Sequence, residues 1–350
     1  MMTLSCKKPA RTAILLSFIL FLILQGVNLS AQTAGGTLEE SAALRFVFYN
    51  AENLFDTLDD PGYDDAAFTP AGERAWSFFL YRRKLLNLAR VLLHCGQGRL
   101  PDLAGLCELE KRGVLEDLLR YSPLRNQGYE LIHFESADPR GIDVGLIYRP
   151  SRLQPVSARP IRITFPSSGS RSRDILQAGF RLPDGQVLHV FINHWPSRFG
   201  GEQRTAPLRL AAAECLRGAI DSLKGEDPGA LILAMGDFND GPSDTSLQWL
   251  IADGSLLNLM LPLMGQPGGT HKHAGHWGIL DQILVSPLLR DRKAWEAGPV
   301  SILSAPYLLQ EETNQTGHRP FRSFAGNAYQ GGFSDHLPVF VDLHYYGREH

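Results

Sequence analysis

Two short acidic segments carry the reactive groups of this chain. Ser334-Asp335-His336 sets a carboxylate beside an imidazole just before an apolar run, and Gly236-Asp237-Phe238-Asn239 follows another apolar run. Hydrolysing a phosphate ester needs a cation on the phosphate oxygens, an activated water and help for the leaving oxygen. The residue types meet those needs. Glu108 and Asp335, with Asn50 helping, offer hard oxygen ligands to Mg2+, an ion that takes one or two carboxylates and keeps several waters. Mn2+ suits the same oxygens. Asp237 can orient or deprotonate the attacking water, and Asn239 can hold that water or a phosphate oxygen. His336 can stay protonated against a carboxylate and bind the phosphate, with Asp281 as the candidate partner. His194 is a second imidazole able to reach phosphate or the leaving group. No base is clearly placed for Ser334, so water is the expected attacker.

Each group is expected where a strand ends. Leu44 to Tyr49 reads as a first strand ending at Asn50, and Leu103 to Cys107 as a short buried strand delivering Glu108. Tyr129 to Phe134, Asp143 to Tyr148, Arg159 to Phe165, Ile175 to Leu182 and Val187 to Asn193 follow as strands. Ser167-Ser168-Gly169-Ser170 and Pro183-Asp184-Gly185 supply turns between them. Ala230 to Met235 leads into Gly236-Asp237, and Trp277 to Ser286 and Leu337 to Tyr345 complete the set. Phe78, Tyr81, Leu85, Leu88 and Leu92 repeat at helical spacing up to about Leu93. Further helices are predicted over about 111–121 and from Pro207 to Leu223. The pattern is α/β, with mixed sheets packed face to face and helices outside. Strand ends in such a core face a shared crevice.

The motifs now have a family likeness. Phe48-Tyr49-Asn50, Leu106-Cys107-Glu108, Asn193-His194-Trp195, Gly236-Asp237-Phe238-Asn239, Leu280-Asp281-Gln282-Ile283 and Ser334-Asp335-His336 resemble the endonuclease/exonuclease/phosphatase superfamily in order and spacing. The resemblance implies a four-layer α/β sandwich of two packed, mainly antiparallel mixed sheets flanked by helices. It also implies a Mg2+-dependent phosphoesterase site. Its roles fall on Asn50, Glu108 and Asp335 for metal, Asp237 and Asn239 for water and phosphate, and Asp281 behind His336. His194 looks like the histidine of the deoxyribonuclease and sphingomyelinase branches. Gln282 departs from the His or Tyr that many members carry there.

Weaker signals surround these. Asn193 and Arg198 flank His194 as candidate substrate contacts, and Arg198 is either a phosphate ligand or a solvated loop arginine. Arg140 is a candidate substrate contact, and Asp143 a candidate for orienting His194. His271, His273 and His276 crowd one loop at a spacing a separate transition metal can use. Asp59, Asp60, Asp64 and Asp65 lack the closing glutamate of a calcium loop.

Bulk properties set the context. The chain has 350 residues, 44% hydrophobic and 20% charged, enough for one sizeable core over about 44–346. Lys7, Lys8 and Arg11 precede an apolar run and a small-residue exit at Ala31, the pattern of a secretory signal over 1–31. Residues 32–43 read as a flexible mature N-terminus. Without 1–31 the formal charge moves from −3 to −6, which excludes a generic basic coat for nucleic acid. Residues 140–217 nonetheless hold twelve Arg, no Lys and five acidic residues. Cys95, Cys107 and Cys215 contain no Cys-x-x-Cys pair. The expectation is an exported, monomeric phosphodiesterase, periplasmic or secreted, with no membrane span in the mature chain. Its substrate is nucleic acid, or alternatively a small or lipid phosphoester.

Overall fold

The layers follow from alternation along the first strand. Phe46 and Phe48 point into one core and Val47 and Tyr49 into another, because successive side chains leave a strand on opposite faces. The computed structural model describes residues 43–165, 171–291, 294–312 and 316–347. The expected signal over 1–31, nearly all of the expected N-terminus over 32–43, and the Ser167-Ser170 turn lie outside them.

The strands run in chain order as β1 (Ala43–Leu54), β2 (Leu103–Leu109), β3 (Glu130–His133), β4 (Asp143–Tyr148), β5 (Gln154–Ile161), β6 (Ile175–Arg181), β7 (Val187–His194) and β8 (Leu231–Asp237). They continue as β9 (Leu257–Asn258), β10 (His271–His273), β11 (His276–Gly278), β12 (Asp281–Val285), β13 (Trp295–Ala297) and β14 (Ser301–Ile302). After β15 (Leu309–Glu311), β16 (His318–Pro320), β17 (Phe324–Ala325) and β18 (Ala328–Tyr329), β19 (Val339–Tyr345) ends the series. The helices are α1 (Phe78–Cys95), α2 (Arg112–Tyr121), α3 (Glu202–Glu226) and α4 (Thr245–Ile251). One sheet has the order β13-β19-β1-β2-β4-β3, with β14 also on β19. The other has the order β5-β6-β7-β8-β12-β9. β1–β2 and β7–β8 are parallel; the other pairings whose direction is defined are antiparallel.

Between the sheets lie Phe46, Phe48, Leu146, Val190, Ile192, Leu233, Met235 and Ile283. The outer face of the first sheet packs on α1 and α2 through Leu85, Leu88, Leu115 and Leu118. The outer face of the second packs on α3 and α4 through Ala212, Leu216, Ile220 and Leu247. The result is the expected four-layer sandwich. The sheets approach closely at Gly105, where an added Cβ would lie 2.6 Å from Ile192 Cδ1. No helix among the described residues is long and apolar enough to cross a membrane.

Several boundaries differ from expectation. β1 runs past Asn50 to Leu54, with a register shift against β2 between those residues. The third middle strand starts at Gln154 and ends at Ile161, not Phe165. It is an exposed edge carrying Pro155 and Pro160, so burial leaves no alternation to read. α3 begins five residues before Pro207, and the Glu202 carbonyl at its start accepts from the side chains of Thr205 and Arg209. The span from Trp277 to Ser286 is two strands, β11 and β12, not one. Short α4 has no clear periodicity.

Gly236 faces Asn193 across the parallel β7–β8 pair. A Cβ there would sit 2.3 Å from the Asn193 carbonyl oxygen, a backbone atom that must move to admit it. Gly236→Ala is therefore expected to cost about 1–3 kcal/mol of stability through strand displacement. A thermal melt unchanged from the unaltered protein contradicts that close approach.

Candidate active site

Strand register lines up three of the reactive groups. His194 of β7 lies opposite Asp237 of β8, and Asp281 of β12 lies opposite Asp237 from the other side. Asn50 and Glu108 arrive from the first sheet where the β1–β2 and β2–β4 ladders slip register. Such irregularities re-aim side chains. Glu52, Asn53, Glu108 and Asn239 all have φ between 50° and 59°, a region costly for residues with a Cβ. Strained backbone thus collects at the strand ends that carry the chemistry.

Asp335 and His336 enter just before β19. Ser334 Oγ donates to the Asn50 carbonyl at 2.8 Å and accepts the His336 N–H at 3.1 Å, so Ser334 ties this turn to β1. His336 Nδ1 lies 2.7 Å from Asp281 Oδ2, and its Nε2 lies 3.6 Å from Asp237 Oδ2. Burial opposes the imidazolium, yet Asp281 and Asp237 hold His336 well above the ordinary histidine pKa. Thr270 Oγ1, itself buried, accepts the N–H of Asp281 and fixes that carboxylate's strand.

Asp237 is the proton-accepting candidate at the centre. Its Oδ2 accepts from Asn50 Nδ2 at 3.1 Å and its Oδ1 from the Asn239 N–H at 2.9 Å. Burial pushes its pKa up to about 7; Asp281 and Glu108 add to the rise and His336 works against it. His194 Nε2 stands 3.7 Å from Asp237 Oδ2 and 3.9 Å from Glu108 Oε1. Burial, then the charges of Arg173 and Arg140, drives His194 well below the usual range, so it is neutral. The site therefore pairs a charged imidazole for an anion with a neutral one.

This arrangement matches a known family. Residues 45–345 match the Endonuclease/Exonuclease/phosphatase family. The chain belongs to it. Members of this family are metal-dependent hydrolases of phosphoesters, and this chain is such a hydrolase. Its fold is similar to that of a family protein from Bacteroides thetaiotaomicron, with TM-score 0.56 at 17% identity over 88% of this chain and 97% of that one. A mannosyl-6-phosphatase from the same organism gives 0.56 at 18% identity, over 86% and 99%. D. rerio TDP2 complexed with single-strand DNA product gives 0.51 at 18% identity, over 86% and 98%. None of the curated proteins matches the sequence.

The expected metal residues converge. Asn50 Oδ1 accepts the Glu52 N–H at 2.8 Å and keeps a second lone pair, while its amide nitrogen faces Asp237 and Glu108 and steadies both carboxylates. Glu108, which accepts the Asn53 N–H at 2.8 Å, and the partly exposed Asp335 are the charged oxygen donors. Two carboxylates plus waters suit an octahedral divalent ion. Asp237, Asp281 and His336 also converge closely enough to hold a metal. A metal there would have to displace the proton that Asp281 and Asp237 hold on His336.

The flanking candidates divide. Asn193 was expected to touch substrate; its side chain is fully buried, donates to the Phe191 and Met235 carbonyls and accepts from Trp195 Nε1. Arg198 donates to the Asn239 carbonyl at 2.7 Å and pairs with Asp240, Asp244 and Glu202, so it braces the loop that carries Asn239. Arg140 is half-exposed beside His194, with Asp138 at 3.5 Å. Asp143 does not orient His194: it lies 3.2 Å from His133, and His194 Nδ1 has no partner among the described residues. Of the three loop histidines, His271 packs against His336 with ring centroids 4.7 Å apart and planes tilted by 39°. His273 and His276 are exposed, so no separate site of three imidazoles forms among the described residues. Asp60 of the acidic loop pairs with Lys111 at 2.7 Å.

Sequence reasoning missed Glu52, Lys84, Arg322, Arg173 and Thr270. Lys84 left one trace, a lysine on the apolar stripe of α1 between Tyr81 and Leu88. Glu52 left another, an acidic residue two places past Asn50 in a buried run.

Asp237→Asn is expected to lower kcat at least about a hundredfold while the fold persists, measured by steady-state kinetics with circular dichroism. An Asp237 carboxyl raised to about 7 must lose its proton to act as a base, so kcat/KM should rise with pH through about 7 while His336 stays charged. A profile flat across neutrality counts against Asp237 as the base.

Proposed function

We propose that this protein is an exported, Mg2+-dependent phosphodiesterase whose first substrate class is nucleic acid, cleaved by attack of an activated water. The row His194–Asp237–Asp281, closed by His336, carries this reading. In it Asp237 takes a proton from water and Asn239 helps hold that water. His336 presents Nε2–H to the phosphate with Asp281 behind it. Neutral His194 is available to the leaving oxygen. A divalent ion on Glu108 and Asp335 would supply positive charge to the phosphate oxygens.

Support for a nucleic-acid substrate comes from the rim. Phe199 is 90% exposed and directly follows Arg198, which is anchored to the Asn239 carbonyl. An exposed ring beside a phosphate site suits base stacking. The similarity to TDP2 with its bound DNA product agrees. A second reading, a small or lipid phosphoester, is favoured by the arginines of 140–217. Arg149 and Arg152 pair with Asp102, Arg173 with Asp138, Arg209 with Asp240 and Arg217 with Asp253, which leaves less free charge for a polyanion. The export reading rests on the basic, apolar and small-residue order of 1–31.

A panel of plasmid DNA, RNA, sphingomyelin, inositol phosphates and a sugar 6-phosphate separates the two readings. Turnover of DNA or RNA that stops with chelator and returns with Mg2+ is expected. Turnover confined to the small esters establishes the second reading instead. Phe199→Ala should raise KM for a single strand several-fold and leave a small ester unaffected.

A further inference from the structure

A buried ion network lies beside the metal-side carboxylates. Glu52 follows Asn50 in β1, is buried and holds a left-handed backbone. Its Oε2 accepts the Ser323 N–H at 2.5 Å, and its Oε1 accepts from Arg322 Nε at 3.1 Å. Lys84 reaches the same place from α1 with its side chain 1% exposed. Its ammonium donates to Ser323 Oγ at 2.5 Å and to the Phe333 carbonyl at 2.6 Å, and stands 3.9 Å from Glu52 Oε2. Lys84 and Glu52 therefore clamp both ends of the segment that carries Arg322.

That clamp aims one guanidinium. Arg322 Nη2 donates to Asp335 Oδ2 at 3.0 Å, while Nε is held by Glu52. Among the described residues Nη1 has no hydrogen bond, and the side chain is 37% exposed. Asp335 and Glu108, the metal-side carboxylates, both act on Arg322, so its free edge stands beside the expected metal and phosphate position. Lys84 gives Glu52 a second cation, so the arginine is not wholly consumed as its counterion. A guanidinium fixed on two nitrogens with a free third is pre-organised for an anionic oxygen.

We infer that Arg322 is a substrate-contacting residue that grips a non-bridging oxygen of the phosphate group, aimed by Glu52 and Lys84. The inference rests on the phosphoesterase reading of the site. Its role complements His336: the imidazolium is braced by Asp281 of the second sheet, the guanidinium by Glu52 of the first.

The test uses the full chain and two probes, inorganic phosphate and Mn2+, each titrated calorimetrically. Arg322→Ala should weaken phosphate at least tenfold without weakening Mn2+ binding. Arg322→Lys should recover only part of the loss, because an ammonium lacks the fork. Glu52→Gln should weaken phosphate while circular dichroism and Mn2+ binding stay normal. Phosphate affinity unchanged in Arg322→Ala overturns the inference, as does absence of measurable phosphate binding by the unaltered protein. So does a change in Mn2+ affinity alone, which would make the arginine only a counterion of Asp335. The outcomes are separable from the proposed function. A protein that hydrolyses no ester but binds phosphate through Arg322 keeps this inference and loses that reading. An active enzyme indifferent to Arg322 does the reverse.

Discussion

Mutual repulsion among buried carboxylates is the constraint that shapes this molecule. Glu52, Asp237 and Asp281 are buried, and Glu108 and Asp335 lie partly exposed at the same end of the sandwich. A group of like charges in low dielectric either binds protons or finds cations. Both outcomes occur here. Burial and neighbouring charge raise Asp237 and Glu52 each to about 7. Asp335 goes the other way: burial opposes its charge, but His336 and Arg322 hold it below the ordinary carboxylate range. The cations stand among them: His336 against Asp281 and Asp237, Lys84 near Glu52, and Arg322 between Glu52 and Asp335. Each is fixed by a short contact rather than left mobile.

The fold serves that constraint by bringing charge in from two sheets. Asp237, Asp281 and His194 share a row in one sheet, so their spacing follows from the strand ladder. Glu108, Glu52 and Asp335 come from the other, where the backbone is irregular and left-handed. The ladder side holds the groups proposed to exchange protons. The irregular side holds the carboxylates expected to meet a cation, whose oxygens must be aimed singly.

Legibility in the sequence divides along the same line. The groups that hydrogen-bonded strands bring side by side announce themselves, because a carboxylate or imidazole at the end of a buried apolar strand is costly to desolvate unless it is paired or used. Asp237, Asp281, His194 and Glu108 were all readable this way. The His336–Asp281 contact was readable from residue type. Arg322 was not: it lies in an irregular segment among short strands, and its aim depends on Lys84 and Glu52, distant in the chain. Asn193 and Arg198 misled for a related reason. Their sequence neighbour His194 faces the site, but a strand sends alternate side chains to opposite faces, and Asn193 lies on the buried side. Arg198 sits beyond the strand among three carboxylates that local sequence does not place together. β5 shows the same limit for the fold, since an exposed edge strand has no buried face to pattern.

A site of this kind works against its own stability. Each carboxylate raised by burial is a group the folded state holds less favourably as an anion than water does. For Asp237, with its pKa raised to about 7, the folded state binds a proton more tightly than the unfolded chain. The associated stability is present below the ordinary carboxylate range and declines as pH rises toward 7. As the proposed base, Asp237 must be an anion, so the conditions that would activate it are those that destabilise its surroundings. A divalent ion on Glu108 and Asp335 would relieve part of that repulsion and so link metal binding to retention of the fold. The left-handed residues at 52, 53, 108 and 239 persist because the sheets beneath them are packed tightly enough to hold them.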